Sequence, residues 1–253
     1  MDLINKIRTI AWYNAVADEV GAKSAYEVAK VIDELRSEMT ENVGTESKSF
    51  AGYATGKVMP SKGTVQMVEE VLPWTSPVFN IGPKVMGGNA PLWLALGGSE
   101  QWVRSVLVWY DKELGIKQAS GAPIYDLIQH VLGRMIPEQY VLESLGTDLA
   151  KPGTHVLAIA YRKNSLVMNL ELMTAIIALW RLTMIHNKHF PYMNFFMTGL
   201  YDKAMVDLVV EPYGIGVLML DYCKRMEEHH WKVLARLERG NFHDGDPVSH
   251  EDA

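Results

Sequence analysis

Nine prolines and glycines cut the chain between Pro73 and Gly98: Pro73, Pro77, Gly82, Pro83, Gly87, Gly88, Pro91, Gly97 and Gly98. Proline removes a backbone donor and glycine raises the entropy cost of any regular element, so no long helix or strand runs through such a segment. The fold must be assembled from a part before it and a part after it. Trp74, Phe79 and Trp93 lie in the same stretch and predict that it packs against its surroundings. This reading gives a domain over 1–73, a Pro/Gly/Trp-rich junction over 74–98, a larger domain over 99–242 and a polar tail over 243–253.

Outside the junction, apolar residues recur at steps of three and four, the period of a helix with one buried face. Ile4, Ile7, Ala11 and Ala15 predict a first helix over 2–20, ending near Gly21. Ser24 with Glu27 forms a capping-box pattern, and Val28, Val31, Ile32 and Leu35 carry a second helix to about Met39. After the polar stretch TENVGTESKS come Phe50 and Tyr53, then Gly56 and Pro60. Ser61 is placed to cap another helix, in which Val65, Val68, Val71 and Leu72 form the buried face until Pro73. Beyond the junction, residues 100–114, 123–135, 138–149, 166–185, 193–210 and 216–239 read as helices, and THVLAIAYRK as a strand-like run. The predicted fold class is mainly α, with a smaller N-terminal and a larger C-terminal helical domain.

Hydrophobic residues make up 48% of the 253, which excludes a disordered or collagen-like chain. Residues 1–80 hold eight basic and eleven acidic side chains, and 81–253 hold sixteen and nineteen, so each part carries −3 of the total −6. By net charge neither part is a basic nucleic-acid module. The single Cys223 excludes a disulfide framework and a cysteine-rich zinc site, and implies a reducing compartment. The apolar run 166–185 carries Asn169, Glu171, Thr174, Arg181 and Thr183, too many polar groups for a membrane span. The opening MDLINKIRTIAWYN lacks the layout of a signal peptide. No membrane association is expected, and the expected location is the cytoplasm.

The stretch 47–73, SKSFAGYATGKVMPSKGTVQMVEEVLP, resembles the second half of an Xre or lambda-repressor-like helix-turn-helix domain. Phe50 and Tyr53 match the inward positions of that family's recognition helix, and Gly56 its terminating glycine. Pro60 and Ser61 match the start of the next helix, with Val65, Val68 and Leu72 as its core. The family's first half differs here: a longer helix and a polar stretch stand where the family has a short helix and a tight turn. The resemblance implies DNA as a partner. Thr45, Ser47, Lys48, Ser49 and Gly52 would face outward if Phe50 and Tyr53 face in, and Lys57 and Lys62 flank the helix within reach of phosphates. Between residues 45 and 68 these three lysines oppose only Glu46, and no arginine is present. A small helical bundle in which Phe-x-x-Tyr and Gly-x-x-x-Pro are merely core and turn explains the same residues.

Other constellations carry less. His186 with His189, and Glu227 with His230, share helix faces, yet no complete ligand set is visible and no metal is expected. Glu227, Glu228, His229 and His230 read as a solvated face beside a buried Trp231. Cys223 reads as an inert mid-helix thiol. No nucleophile elbow, P-loop or dinucleotide fingerprint occurs, so no cofactor and no catalytic residue is assigned. Glu171 and Arg181, in the most apolar helix, each need a partner or a cavity. Trp74, Trp93, Trp102, Trp109 and Tyr110 read as a seam between domains, or as a partner-binding face.

The function expected is a prokaryotic or phage DNA-binding protein of repressor type, acting in transcription regulation, with a helical dimerisation or partner domain. The alternative is a helical protein-interaction component of a plasmid, phage or defence system that does not bind DNA. An enzyme with a helical metal site comes third. A homodimer formed by 99–242 is expected, because 166–185 and 193–210 carry apolar residues around most of their circumference.

Overall fold

A computed structural model describes residues 1–39, 47–135, 169–191, 193, 194, 197 and 210–239. The expected helix over 138–149, the strand-like run and the tail fall outside these residues, as does most of 193–210. The described residues are mainly α-helical, with one two-stranded hairpin. They group into two compact units, one of residues 1–93 with 210–239 and the other of 94–197.

The first unit opens with α1 (Leu3–Glu19), capped by the Asp2 side chain on the Asn5 amide. Helix α2 (Ala25–Met39) starts on a shifted capping box: Ser24 Oγ accepts from Glu27 N at 3.2 Å, while Glu27 Oε2 reaches Lys23 N at 2.8 Å. Then come α3 (Ser47–Ala54), α4 (Lys62–Val71) and the short α5 (Thr75–Asn80). A hairpin of β1 (Lys84–Val85) and β2 (Gly88–Asn89) follows, pairing Lys84 with Asn89 and Val85 with Gly88. The core is aromatic: fully buried Trp12 on α1 meets Phe50 and Tyr53 of α3 and Phe79 of α5, with ring centroids 6.4, 5.7 and 6.2 Å away. Val28 and Ile32 of α2 and Val65 and Val68 of α4 close the cluster.

Residues 74–93 belong to this unit, in contrast to the junction expected over 74–98. Proline and glycine density describes the local backbone, but distant side chains fix the segment in place. Arg8 of α1 donates from Nε to Phe79 O at 3.0 Å, and its guanidinium lies 4.7 Å from the Phe79 ring centroid. Trp93 Nε1 donates to Val78 O at 2.8 Å. The 3-10 turn Glu211–Tyr213 returns to the same place: Lys84 N donates to Tyr213 Oη and Asn14 Nδ2 to Tyr213 O, both at 2.8 Å. Helix α11 (Gly216–Glu238) follows and packs on α1. It therefore sits in the first unit, apart from the other helices expected within 99–242.

The second unit contains most of α6 (Leu92–Gly97), then α7 (Glu100–Tyr110), α8 (Ile116–Gly121), α9 (Ile124–Met135) and α10 (Leu170–Ile185). The helix expected over 100–114 stops early, because Asp111 leaves it in extended backbone and its carboxylate meets His130 Nε2 of α9 at 2.6 Å. Helix α10 packs on α7 and α9 and is buried from Leu170 to Met184 except at half-buried Glu171. No helix among the described residues is long and apolar enough to cross a membrane.

Glu100 at the start of α7 accepts from Arg104 Nε and pairs with His186 Nε2, each at 2.8 Å. Burial pushes its carboxyl up, but the hydrogen bonds from Arg104 and His186 outweigh burial and hold it below the ordinary glutamate range. A carboxyl with a depressed folded pKa stabilises the fold above its unfolded pKa, and that contribution is lost as pH falls through the folded value. Denaturant midpoints of the wild type are therefore expected to drop on acidification with a steeper slope than those of Glu100→Gln. Parallel profiles would mean that Glu100 does not couple to folding.

Candidate nucleic-acid interface

Helix α3 is held from below. Phe50 and Tyr53, three residues apart and both buried, place its inward face on Trp12, and their own rings meet edge to face at 5.5 Å. The opposite face carries Ala51 and Thr55, both exposed. The helix ends in a Schellman turn: Gly56 N donates to Tyr53 O at 3.0 Å and Lys57 N to Gly52 O at 2.9 Å. Gly56 has φ +60°, and a Cβ there would meet Lys6 Cγ at 2.6 Å and Ile10 Cδ1 at 3.0 Å. Glycine is thus required twice, for the left-handed backbone and for the close approach to α1.

The turn sets the path of the following loop. Val58 folds back over Gly52, where a Cβ would lie 3.1 Å from Val58 Cγ2. Pro60 is buried, and Ser61 caps α4 by accepting from Thr64 N at 3.0 Å. Lys57, Val58, Met59 and Lys62 are exposed along this connection. Neither lysine forms an ion pair among the described residues. Glu69, the first carboxylate of α4, is committed at that helix's other end, accepting from Trp74 N at 3.0 Å and Ser76 N at 2.6 Å. Glu69 lies seven residues along the helix from Lys62, an axial distance of about 10 Å.

Of the residues expected to face DNA, Lys57 on the α3–α4 connection and Lys62 at the start of α4 are both exposed. Ser49 is half-buried, and Gly52 is half-buried beneath Val58. Ser47 and Lys48 belong to the first turn of α3, but their side chains, like the whole of Thr45, lie outside the described residues. Ala51, Thr55, Val58 and Met59 are exposed here without having been singled out by the sequence reading. The helical phase set by Phe50 and Tyr53 already points 51 and 55 outward. The fold-back of Val58 had no sequence signal. Beside α3, a cleft of about 360 Å³ opens between α2, α3 and α4, lined by Ile32, Asp33, Arg36, Phe50, Ser61 and Thr64 among others.

The remaining candidates disperse. His186 pairs with Glu100, whereas the His189 ring lies 5.7 Å from the Tyr125 ring, so the two histidines serve different neighbours. On α11 the faces are one position off the expectation: His230 is buried and Trp231 is the exposed member, its Nε1 donating to Glu227 Oε1 at 3.4 Å. Among the described residues no group of three or more histidines, cysteines or carboxylates is placed to hold a metal ion. Cys223 is buried. Trp74 and Trp102, expected to pack, are 71% and 56% exposed, while Trp93 is buried.

Compared with known proteins, the chain matches no family model, no curated protein and no solved structure.

Proposed function

We propose that the chain is a DNA-binding protein of repressor type, with α3 entering the major groove and the α3–α4 connection resting on the phosphate backbone. One observation carries this reading. The helix is clamped by Phe50 and Tyr53 to the core, and beyond its Schellman turn Lys57 and Lys62 are exposed with no ion-pair partner among the described residues. Two exposed lysines, one on the α3–α4 connection and one at the start of α4, fit backbone positioning, with the first turn of α3 left to read base edges.

Each phosphate contact releases counterions, so the pair has a measurable signature. The Lys57→Ala, Lys62→Ala double variant is expected to bind mixed genomic DNA more weakly at every salt concentration. The slope of log affinity against log salt should be shallower by about 2. An unchanged slope in a well-folded double variant would take this connection out of the interface.

Self-association accompanies the proposal, because two linked weak modules on two half-sites gain affinity by effective concentration. Helix α10 is buried within the single chain, so it offers no spare apolar surface to a partner copy. A light-scattering mass near twice 28.4 kDa is expected at micromolar concentration, and a mass near 28.4 kDa would remove the dimer.

The second reading, a protein-interaction component that binds no DNA, is favoured by Trp74. This residue holds a left-handed backbone, φ 81° and ψ 2°, while its side chain is mostly exposed. The Glu69 carboxylate holds the turn that imposes both costs. Trp74→Gly should relieve the backbone strain, so a variant that is more stable and still binds DNA would separate this residue from the DNA reading.

A further inference from the structure

Helix α10 settles its buried polar side chains with one exception. Thr174 Oγ1 donates to Leu170 O and Thr183 Oγ1 to Trp180 O, both at 2.7 Å, and Trp180 Nε1 donates to Asn194 Oδ1 at 3.2 Å. Arg181 is only 5% exposed, and its Nε and Nη1 reach no acceptor among the described residues. Arg104, also buried in this unit, shows the contrast. Arg104 donates from Nε to Glu100 at 2.8 Å and from Nη1 to the carbonyls of Ala119 at 2.8 Å and Ala122 at 3.1 Å.

A guanidinium does not shed its proton in a protein, so burial cannot neutralise Arg181 as it would a lysine. A buried charge with buried, unused donors is among the least favourable arrangements a fold can hold. An acceptor is required, and its chemistry follows from the donor. A planar fork of N–H groups matches the paired oxygens of a carboxylate or phosphate. The neighbours of Arg181 one turn away on α10, Ile177, Ala178 and Met184, are buried and apolar, which strengthens the attraction between opposite charges.

We propose that the second unit binds a small oxyanion, the carboxylate or phosphate group of a solute, at Arg181. This site lies in the other unit from α3, so it stands or falls independently of DNA binding.

Thermal unfolding of the full chain tests the site, with sodium phosphate and sodium citrate titrated separately against sodium chloride at constant ionic strength. The wild type should show an upward shift in Tm of several degrees that saturates, and the stronger of the two probes tells phosphate from carboxylate. Arg181→Met, which keeps the volume and removes the charge, should unfold at a higher temperature than the wild type in chloride and ignore both probes. No anion-specific shift in the wild type would mean that the chain supplies its own acceptor, and would overturn the proposal. A shift retained in Arg181→Met would place the anion elsewhere and overturn it equally. If Arg181→Met does not fold, Arg181→Lys decides: a reduced shift supports the site, and an undiminished one contradicts it.

Discussion

Replacing Gly82 with alanine is expected to lower stability by about 3 kcal/mol or more, a loss large enough to leave the first unit poorly folded. Gly82 has φ +150°, a backbone region essentially closed to side chains, and a Cβ there would collide with the carbonyl oxygen of Ala90. The obstacle cannot step aside. Ala90 N donates to Pro83 O at 2.9 Å, and Asn89 Nδ2 holds Gly82 O at 2.7 Å. Gly87, at the hairpin turn, is the control. It also has positive φ, +87°, but nothing lies within 4 Å of a Cβ there. Gly87→Ala should therefore cost only the backbone strain, about 1 kcal/mol. Urea unfolding separates the two, and equal small losses would show that the hairpin can shift away from the collision.

Removing the ring at the centre of the first unit should cost as much or more. Trp12→Ala is expected to destabilise by about 3–5 kcal/mol, because it opens a cavity among Phe50, Tyr53 and Phe79 that helices from three parts of the chain line. Trp12→Phe should be much milder. The indole Nε1 has no acceptor among the described residues, so the phenyl ring forfeits volume but no hydrogen bond. Since α3 rests on this ring, DNA affinity should fall in Trp12→Ala even under conditions where the chain stays folded. If both substitutions cost the same, the aromatic cluster is not what supports the helix.

Much of the first unit could be read from local pattern. The caps Ser24 and Ser61, the terminating Gly56 and the inward pair Phe50 and Tyr53 are all decided within a few residues of chain, and the structure places them as read. Helices long enough to show a period, such as α1, α2, α10 and α11, were legible for the same reason. The six-residue helices α5, α6 and α8 were not, since fewer than two turns carry no period. The aromatics after Pro73 announce a packed segment, but that it joins the first unit depends on Arg8, Asn14 and Tyr213, far away in sequence. The α11 face failed by a single step: an indole outweighs an imidazole in any hydrophobic count, yet packing buried His230 and left Trp231 outside.

The candidate interface was partly legible. Lys57 and Lys62, which the helix-turn-helix resemblance places beside the backbone of DNA, are both exposed. The phase of α3 points Gly52 outward, but the Schellman turn brings Val58 down over it, and only the three-dimensional path of the loop reveals that. Arg181 drew notice in the sequence because a charge in so apolar a helix needs a partner. What the sequence could not show is that the surrounding threonines and tryptophan find their own partners, while Nε and Nη1 of Arg181 reach no acceptor among the described residues.

Whether the first unit binds DNA at all can be measured directly. Equilibrium binding of the full chain to mixed genomic DNA, followed as salt rises, measures this without knowledge of any target sequence. Binding is expected at low salt, with log affinity falling linearly with log salt concentration and a slope reporting several phosphate contacts. No binding at the lowest salt concentration, from a chain that unfolds cooperatively and is therefore intact, would contradict it.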